Sequence, residues 1–495
     1  MASKGSAELP YSVQRSGRES FHGWVKNEPK KPTIHRKVIK GAFRRYCHIA
    51  QQVLGFAHSK FVRGRTKKIE RAYMKSRKSK LFGAIAIAAS IALTATGCSS
   101  DEGSNASGQV EVFSWWTGGG EEAGLNALVE VFNQEYPDVE FVNAAVAGGA
   151  GTNARAVLAT RLQAGEAPDS FQGHAGAELM DYITAGQLED LSFLYDEEGW
   201  RDVMPATLLP LITVDGKIYS VPVNIHRANV MWANPKVLAD NGITMPGSWD
   251  EFFAAADKLK AAGVTPLALG EQWTQLHLFE TVLLGVLGTD AYNGLWDGST
   301  GWDSAEVKGA LDTFKKVLTY TNSDAASLSW QDASKLVIDG KAAFNIMGDW
   351  AEGYFRVDNS LVEQEGYTWA PAPGTAGTFQ FLSDSFTLPV GAKNRDAAIA
   401  WLKVAGSAAG QDAFNVKKGS IPARSDADKA IYPPYLQSAM DDWGSNEIAG
   451  SLTHGVTASN AWKAEIDTAL GLFLQNKDVA KFQAALATAA TNAGK

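Results

Sequence analysis

Two adjacent tryptophans, Trp115 and Trp116, end the apolar run VFSWW and are followed closely by three glycines at 118–120. Neighbouring side chains on a strand point to opposite faces, so both rings enter one site only if the chain turns there. The triple glycine permits such a turn and lets the backbone approach a ligand closely. Indole faces pack well on the apolar C–H face of a sugar ring. The alternative is that one ring fills the core and the other plugs a gap between elements.

Histidines supply metal ligands and hydrogen-bonding groups, but their spacing here does not favour a metal site. No HxH or HxxxH pair occurs after residue 97. His226 and His277 are expected to have structural or hinge roles. We therefore expect neither a metal nor another cofactor. The histidines after residue 97 are His174, His226, His277 and His454.

Acidic side chains raise a second possibility, a secreted glycoside hydrolase. Such an enzyme needs two carboxylates that face each other across the bond it cleaves. Glu271, Asp349 and Asp384 are candidates, although sequence does not show that any two converge. No GxSxG elbow, Walker loop, HExxH motif or GxGxxG after a strand occurs. A structural surface adhesin, the third possibility, fits poorly with Trp, His and Lys gathered at predicted loop ends.

The elements around the tryptophans predict that the rings stand at a ligand-binding edge. VEVF before them has strand character, and Leu125, Leu128 and Phe132 then recur at helical spacing. VEFV resumes strand character, which gives a β-loop-α-β beginning. Ligands in open α/β sheets bind beyond the carboxyl ends of the strands, which is where Trp115 and Trp116 lie.

Further turns and caps continue the alternation of strands and helices. Asp215 and Gly216 predict a two-residue hairpin turn, because this pair tolerates positive φ angles. Ser248 and Glu251 predict a capping box at the start of a helix. AAFNIMGDWAEGYF is typical of a strand that delivers Asp349 to the next helix, where it either binds a ligand or caps the helix. Such alternation predicts an α/β fold.

Charge divides the chain into two unequal parts. Residues 1–97 hold 21 Lys+Arg against 4 Asp+Glu, whereas the remaining residues hold 25 against 50. The acidic body argues against nucleic acid as a partner and helps to keep an exported protein soluble. Its size and the 45% hydrophobic content of the chain suffice for well-filled cores.

The boundary between these parts coincides with an export signal at residues 74–97. A basic start, MKSRKSK, precedes the uncharged run LFGAIAIAASIALTA. This run is short for a membrane-spanning helix, so cleavage is expected. TATGC resembles the lipobox of bacterial lipoproteins, which would make Cys98 a lipidated first residue; an ordinary signal peptide with an incidental cysteine is the alternative. Residues 98–108, rich in serine, glycine and acidic side chains, are expected to form a flexible tether.

Residues 1–73 fit neither the signal nor the body. They carry 17 Lys+Arg and little periodicity. Either translation begins at Met74, or the segment is a basic, disordered arm that binds nucleic acid or acidic lipid. We favour a start at Met74, because export signals normally lie at the N-terminus.

Several stretches of the body are distinctive in combination, among them SWWTGGGEEAGLNAL, APDSFQGHAGAEL, VPVNIHRANVMWANP, FNIMGDWAEGYF and KKGSIPARSD. Over most of residues 109–490 the chain resembles the extracellular solute-binding proteins of bacterial ABC sugar importers, in the branch that binds glucose and related monosaccharides. The resemblance implies a two-lobed α/β fold of the periplasmic-binding-protein kind (type II-like), with the ligand in a cleft between the lobes. One lobe would hold 109–222 and 378–416, the other 223–377 and 417–490.

The resemblance also implies ligand-binding positions on both lobes. Trp115 and Trp116 match a stacking pair, with Trp116 as the direct contact. Gln172 and His174 match the polar FQ-x-H pair that reaches sugar hydroxyls from the first lobe. Trp273 matches an aromatic ring on the opposing lobe, although a core position is the alternative.

Three later positions complete the set that the resemblance implies. Asp349 matches the acceptor of two adjacent hydroxyls, a role that suits a carboxylate because charge-assisted hydrogen bonds are strong. Lys418 would donate to a hydroxyl oxygen; the neighbouring Lys417 is the other choice, and a solvated surface position is the alternative. His454 matches a late donor or acceptor.

The implied function is capture of a sugar without chemistry, so the protein is expected not to be an enzyme. The resemblance implies glucose or a related monosaccharide as the ligand; a disaccharide would need a wider cleft. The loaded monomer would dock on a permease whose ATPase is a separate chain, since no nucleotide-binding motif occurs here. The expected location is the outer face of the cell membrane, with the lipid at Cys98 as anchor.

Overall fold

The protein is described by a computed structural model over residues 106–495. The upstream segment, the export signal, Cys98 and most of the tether lie outside the described residues, so their interpretation stays a prediction. Among residues 106–495, none of the helices combines the length and the apolar character that crossing a membrane requires.

Short strands of the described residues form three mixed sheets and a separate hairpin. The strands are β1 (Gly108–Phe113), β2 (Val139–Asn143), β3 (Ser170–His174), β4 (Thr213–Val214), β5 (Lys217–Ile218), β6 (Val221–Pro222), β7 (His226–Arg227), β8 (Val230–Ala233), β9 (Thr265–Ala268), β10 (Ala342–Ile346), β11 (Thr368–Pro371), β12 (Thr378–Leu382), β13 (Asp384–Thr387) and β14 (Glu447–Gly450). The sheets have the strand orders β2-β1-β3-β13-β6, β11-β8-β10-β9 and β14-β12-β7, and β4 pairs with β5 in the hairpin.

The five-stranded sheet brings three chain segments to one edge. β1 runs parallel to β2 and β3, and β13 runs antiparallel to β3. The carboxyl ends of β1 and β3 therefore meet the start of β13, where Asp384 pairs directly with His174. Trp115 follows β1 at the same edge. The β-branched side chains of Val110 and Val112 are buried, as expected of a strand covered by helices.

The four-stranded sheet has a hydrophobic core of its own. β10 pairs parallel with β9 and antiparallel with β8, and its Phe344 and Ile346 are buried in this second core. Val110 and Phe171 of the five-stranded sheet belong to the first. The chain passes between the two sheets from β6 through β7 to β8. The lobe boundaries drawn from the sequence stay a prediction.

Helices separate most of the strands, which confirms the predicted α/β class. The helices of the described residues are α1 (Gly119–Glu135), α2 (Thr152–Ala164), α3 (Ala177–Thr184), α4 (Ser192–Glu197), α5 (Trp200–Val203), α6 (Pro235–Asp240), α7 (Trp249–Ala261), α8 (Gln272–Leu287), α9 (Thr289–Asp297), α10 (Ala305–Val317), α11 (Trp330–Ile338), α12 (Trp350–Gly353), α13 (Arg395–Gly406), α14 (Ala408–Lys418), α15 (Pro434–Ser445), α16 (Asn460–Asn476) and α17 (Val479–Asn492).

Local signals in the sequence account for several of these boundaries. The capping box is present at the start of α7, where Ser248 and Glu251 each accept a backbone N–H of the other. The hairpin turn between β4 and β5 is also present, with positive φ angles of 50° at Asp215 and 78° at Gly216. Gly353 at the end of α12 permits close packing on α14, because a Cβ there would lie 2.7 Å from the carbonyl oxygen of Lys418.

Candidate functional site

A cavity of about 30 Å³ lies where these elements meet. Five tryptophan rings line it. Two of them follow β1, and three lie in the first turns of α8, α11 and α12. Protein atoms cover most of the first two rings, since Trp115 is 6% exposed and Trp116 is 1% exposed. The five rings are Trp115, Trp116, Trp273, Trp330 and Trp350.

Ionisable side chains from distant parts of the chain line the same cavity. Two are acids, three are histidines and one is a lysine, and most of them lie at the end of a strand or helix. The site therefore offers hydrogen-bond donors and acceptors between its aromatic walls. These residues are Glu121, His174, His226, Asp384, Lys418 and His454.

His174, His226 and Asp384 form one side of the cavity, the polar wall, and Asp384 is its centre. Its Oδ1 accepts a hydrogen bond from Nε2 of Gln172 at 2.8 Å, and its Oδ2 accepts one from Nδ2 of Asn224 at 2.8 Å. The Nε2 atoms of His174 and His226 each lie 3.6 Å from one of these oxygens. The carboxylate is thus held in one orientation and presents a fixed acceptor to the cavity.

Glu178 orients His174 from behind the cavity. Its Oε2 lies 3.0 Å from Nδ1 of His174 and 3.5 Å from Nη1 of Arg155. Burial alone raises the pKa of Glu178, but the charges of His174 and Arg155 outweigh burial and lower the pKa to about 2. Because the carboxylate stays ionised, it holds Nδ1–H of His174 and leaves Nε2 for the cavity.

Lys418 is a buried cation beside an indole face. Its Nζ lies 3.2 Å from Oε1 of Glu121 and 5.7 Å from the ring centre of Trp116. Burial raises the pKa of Glu121, and the charge of Lys418 opposes part of this rise. The neighbouring Lys417 is exposed. Lys418 is therefore the lysine that faces the cavity.

His454 forms another part of the cavity wall. Its ring centre lies 5.0 Å from that of Trp350 and 5.6 Å from that of His174. Its Nδ1 lies 2.9 Å from Oγ of Ser451. Burial, together with the charge of His174 and other neighbours, lowers the pKa of His454 well below its usual value.

This histidine is also one of a trio of potential metal ligands. The ligand atoms of His277, Glu280 and His454 are within 4.8 Å of one another. A search for short spacings misses this trio, because His454 is distant in sequence from the other two. The Glu280 carboxylate already accepts hydrogen bonds from Ser451 Oγ and the backbone N–H of Leu452, which explains the cluster without an ion. The absence of a metal stays a prediction.

The loop between β2 and α2 covers one side of the cavity. A Cβ on Gly149 would lie only 2.1 Å from Nε1 of Trp273, so this approach requires glycine. Trp273 Nε1 donates a hydrogen bond to Oε1 of Glu271 at 2.9 Å. This bond fixes the indole and leaves its ring face to the cavity.

Six of the eight side chains predicted from the sequence line the cavity. Gln172 lies behind the wall instead. Its Oε1 accepts from the backbone N–H of Trp115 at 3.3 Å, and its Nε2 is engaged by Asp384. Gln172 thus connects the tryptophan turn to the polar wall. The six are Trp115, Trp116, His174, Trp273, Lys418 and His454.

Asp349 also lies behind the wall and is fully buried. It is the N-cap residue of α12, but its side chain makes no capping hydrogen bond. Its carboxylate is instead bonded to Nδ1 of His226 and to the backbone N–H of Arg227. Burial raises the pKa of Asp349 well above its usual value. A direct contact of Asp349 or Gln172 with a ligand stays a prediction.

Other lining residues had no assigned ligand role in the sequence. Glu121 directly follows the glycine turn, and this position close to the tryptophans is a signal in the sequence that could have identified it as a lining residue. His226, expected to be structural, has a buried Nε2 without a hydrogen-bond partner among the described residues. No local signal identifies Trp330 or Trp350. Of the three carboxylates considered for a hydrolase, Asp384 alone lines the cavity.

The lowered pKa of His454 leads to a prediction about stability. Above about pH 6.5 neither the folded nor the unfolded chain protonates this ring; below it only the unfolded chain does, so the contribution of His454 to stability is lost as pH falls. The loss is about 1.4 kcal/mol per pH unit. Urea unfolding between pH 7.5 and 5.5 measures it.

A His454→Gln variant is the comparison for this prediction. Its free energy of unfolding should fall less steeply below pH 6.5 than that of the unmodified protein, by about 1.4 kcal/mol per pH unit. The difference in slope isolates His454 from the other titrating groups. Identical slopes would contradict a neutral, buried ring.

Known proteins match most of this chain in sequence. Residues 117–412 match the family described as bacterial extracellular solute-binding protein. A probable sugar-binding periplasmic protein of Brucella suis is 36% identical over 367 residues, which cover 72% of this chain and 86% of that protein. The xylose/arabinose-binding protein of Haloferax volcanii is 33% identical over 381 residues, covering 75% and 82%.

Solved structures establish the architecture. T. maritima MalE3, solved with maltose bound, has a TM-score of 0.67 and 19% identity, covering 78% of this chain and 99% of that one. The predicted two-lobed α/β fold with a cleft between the lobes is thereby confirmed. Because the family consists of substrate-binding proteins of ABC transporters, the hydrolase alternative does not hold. The chain belongs to the family of bacterial extracellular solute-binding proteins.

Proposed function

We propose that the protein captures glucose or a closely related monosaccharide in this cavity and delivers it to the permease of an ABC importer. The observation that carries the proposal is a cavity whose lining combines five indole rings with fixed polar groups. Aromatic faces with a few oriented donors and acceptors suit a ring that has an apolar face and a hydroxyl rim.

Trp116 is supported as the main stacking plane. Its ring packs against Phe414 and Phe386, with distances between ring centres of 4.9 and 5.7 Å. Lys418 holds a charge beside the same ring. The indole is therefore fixed before a sugar arrives, and little side-chain entropy is lost on binding.

The polar wall supports recognition of hydroxyls. Asp384 and Glu121 supply acceptors, and Lys418 supplies a donor. The buried Nε2 of His226 has no partner among the described residues. A buried polar atom without a partner costs free energy, so a ligand hydroxyl that satisfies this nitrogen gains affinity.

The cover over one side of the cavity favours a single sugar ring. The contact of Gly149 with Trp273 covers one side and limits extension of a longer sugar in the closed form. The ligands in the name of the Haloferax volcanii relative, xylose and arabinose, are also monosaccharides. Both points support a monosaccharide as the ligand.

Closure of the two lobes is the proposed mechanism of capture. Trp273 belongs to the predicted second lobe, and Gly149, which touches it, belongs to the first. A sugar that contacts both sides binds the closed form more tightly and shifts the equilibrium by that difference in affinity. The loaded form then offers the permease a surface that the open form lacks.

The proposal includes export and anchoring. The signal at residues 74–97, cleavage before Cys98 and a lipid on that cysteine would hold a monomer at the outer face of the membrane. The permease and its ATPase would be separate chains, and nucleic acid would not be a partner.

Calorimetric titration of a chain that begins at residue 99 tests the proposed ligand. The panel contains glucose, galactose, mannose, xylose, arabinose, maltose and chitobiose, with product analysis after each titration. We expect one or more monosaccharides to bind with micromolar or tighter affinity and to be recovered unchanged. Tighter binding of a disaccharide, or no binding of any monosaccharide, would contradict the proposal.

A further inference from the structure

Glu280 lies in the middle of α8 and is completely buried. Its Oε2 accepts hydrogen bonds from the backbone N–H groups of Leu452 at 2.5 Å and Thr453 at 3.1 Å. Its Oε1 accepts one from Oγ of Ser451 at 2.9 Å. Nδ1 of His277 also lies 3.3 Å from Oε1. An ionised carboxylate only accepts, so in that form the three bonds all point towards Glu280.

The hydroxyl of Ser451 has a single proton, which it gives to Glu280. Towards Nδ1 of His454, at 2.9 Å, the same oxygen can only accept. Nδ1 of His454 must therefore carry a proton. The backbone N–H of His454 also points at this oxygen, at 3.3 Å, which is consistent with its role as an acceptor.

His454 is 4% exposed, and the hydrogen-bond partner of its ring among the described residues is the hydroxyl of Ser451, so the ring is neutral and holds one proton in total. With that proton on Nδ1, the other nitrogen, Nε2, is a lone-pair acceptor. Ser451 occupies the Nδ1 side, and the ring lines the cavity.

We propose that Glu280, acting through Ser451, fixes His454 in the tautomer with the proton on Nδ1, so that Nε2 accepts a hydrogen bond from a ligand hydroxyl. Glu280 and Ser451 are positioning residues in this scheme, and His454 is the contact. The inference rests on the proposed function, since it concerns a sugar in the same cavity.

This tautomer makes the site selective for a hydroxyl group at one position of the ligand. A hydroxyl there donates to Nε2, whereas a fluorine or an ether oxygen would place two acceptors face to face. The arrangement therefore rejects analogues that keep the size of the hydroxyl but lose its proton.

Glu280→Gln should change Nε2 of His454 from a hydrogen-bond acceptor into a donor. Two backbone N–H groups require an acceptor at the Oε2 position, so the amide oxygen takes that place and the NH₂ group faces Ser451. The amide then donates to Ser451, whose proton turns towards Nδ1 of His454. The ring proton moves to Nε2, and His454 becomes a donor.

Nitrogen-15 NMR of the histidine rings in the sugar-free protein reads the tautomer directly. We expect the Nδ1–H form of His454 in the unmodified protein and the Nε2–H form in Glu280→Gln. If Glu280→Gln does not fold, Ser451→Ala serves instead and should populate both tautomers. Ser451→Thr keeps the hydroxyl and should retain the original form.

Titration with the monofluorinated forms of the sugar that binds best supplies the second measurement. One of them should bind the unmodified protein about tenfold more weakly than the parent sugar, and this preference should largely vanish in Glu280→Gln and Ser451→Ala but not in Ser451→Thr. His454→Ala should lose the same preference at the same position.

Three results would overturn the inference. The first is an Nε2–H or doubly protonated His454 in the unmodified protein, and the second is an unchanged tautomer in both Glu280→Gln and Ser451→Ala. The third is loss of sugar binding after treatment with EDTA, because it would show that His277, Glu280 and His454 form a metal site. Failure of the proposed function is distinguishable, because the tautomer is measured without sugar. If no sugar binds, the NMR result still decides the tautomer.

Discussion

Trp116→Ala is expected to weaken binding of the preferred sugar by about 100-fold or more, which corresponds to about 2.7 kcal/mol. Truncation removes the ring that is fixed between Phe414 and Phe386, and with it the main stacking plane. It also leaves Lys418 without the indole beside it. Calorimetric titration at a temperature well below unfolding measures the loss.

Truncating a buried tryptophan also destabilises the fold, by about 3 to 5 kcal/mol, so a matched control is needed. Trp200→Ala provides it, because Trp200 is 2% exposed in the same hydrophobic core as Trp116 and does not line the cavity. The control should lose stability and keep its affinity. Equal affinities of the two variants would refute the stacking role of Trp116.

The second large effect is expected from Lys418→Met. This change leaves the carboxylate of Glu121, whose side chain is 17% exposed, without its cation. Removal of one member of a fully buried pair costs about 3 to 5 kcal/mol of stability, and the partial exposure of Glu121 places the expected cost at or below the lower end of that range. Burial already raises the pKa of Glu121, and loss of Lys418 raises it further. The destabilisation should therefore shrink at low pH, where Glu121 takes up a proton. Sugar binding should be lost at neutral pH.

Two companion variants separate the contribution of the pair from that of the ligand contact. Adding Glu121→Gln to Lys418→Met removes both charges, and should recover most of the free energy of unfolding without restoring sugar affinity. Lys417→Met, at the exposed neighbour, should change neither quantity. Full sugar affinity in the double variant would show that the lysine does not contact the ligand.

Local rules account for much of the fold. The turn at Asp215 and Gly216 and the cap at Ser248 and Glu251 depend on residues next to each other in sequence, and both are present. The strand that leads to Asp349 is equally local. Such features follow from backbone conformation and from short-range hydrogen bonds, so they can be predicted from one sequence.

The polar wall depends on interactions that no local rule describes. Gln172 donates to Asp384 across 212 positions of sequence, and that bond turns Gln172 away from the cavity. In the same way, the hydrogen bond to His226, which is 123 positions away in sequence, holds Asp349 behind the polar wall. The resemblance identified many of the lining residues, but the direction of each side chain is set by partners that only the fold brings together.

If a sugar closes the lobes as proposed, the contact between Gly149 and Trp273 would make this indole an optical reporter of binding. Separation of the lobes withdraws peptide groups from the indole of Trp273, and an indole whose polar surroundings change emits at a different wavelength. A bulky dye attached at position 149 would prevent closure, because even a Cβ there meets the ring. A sensor for sugar in solution should therefore read this tryptophan and leave the loop unlabelled.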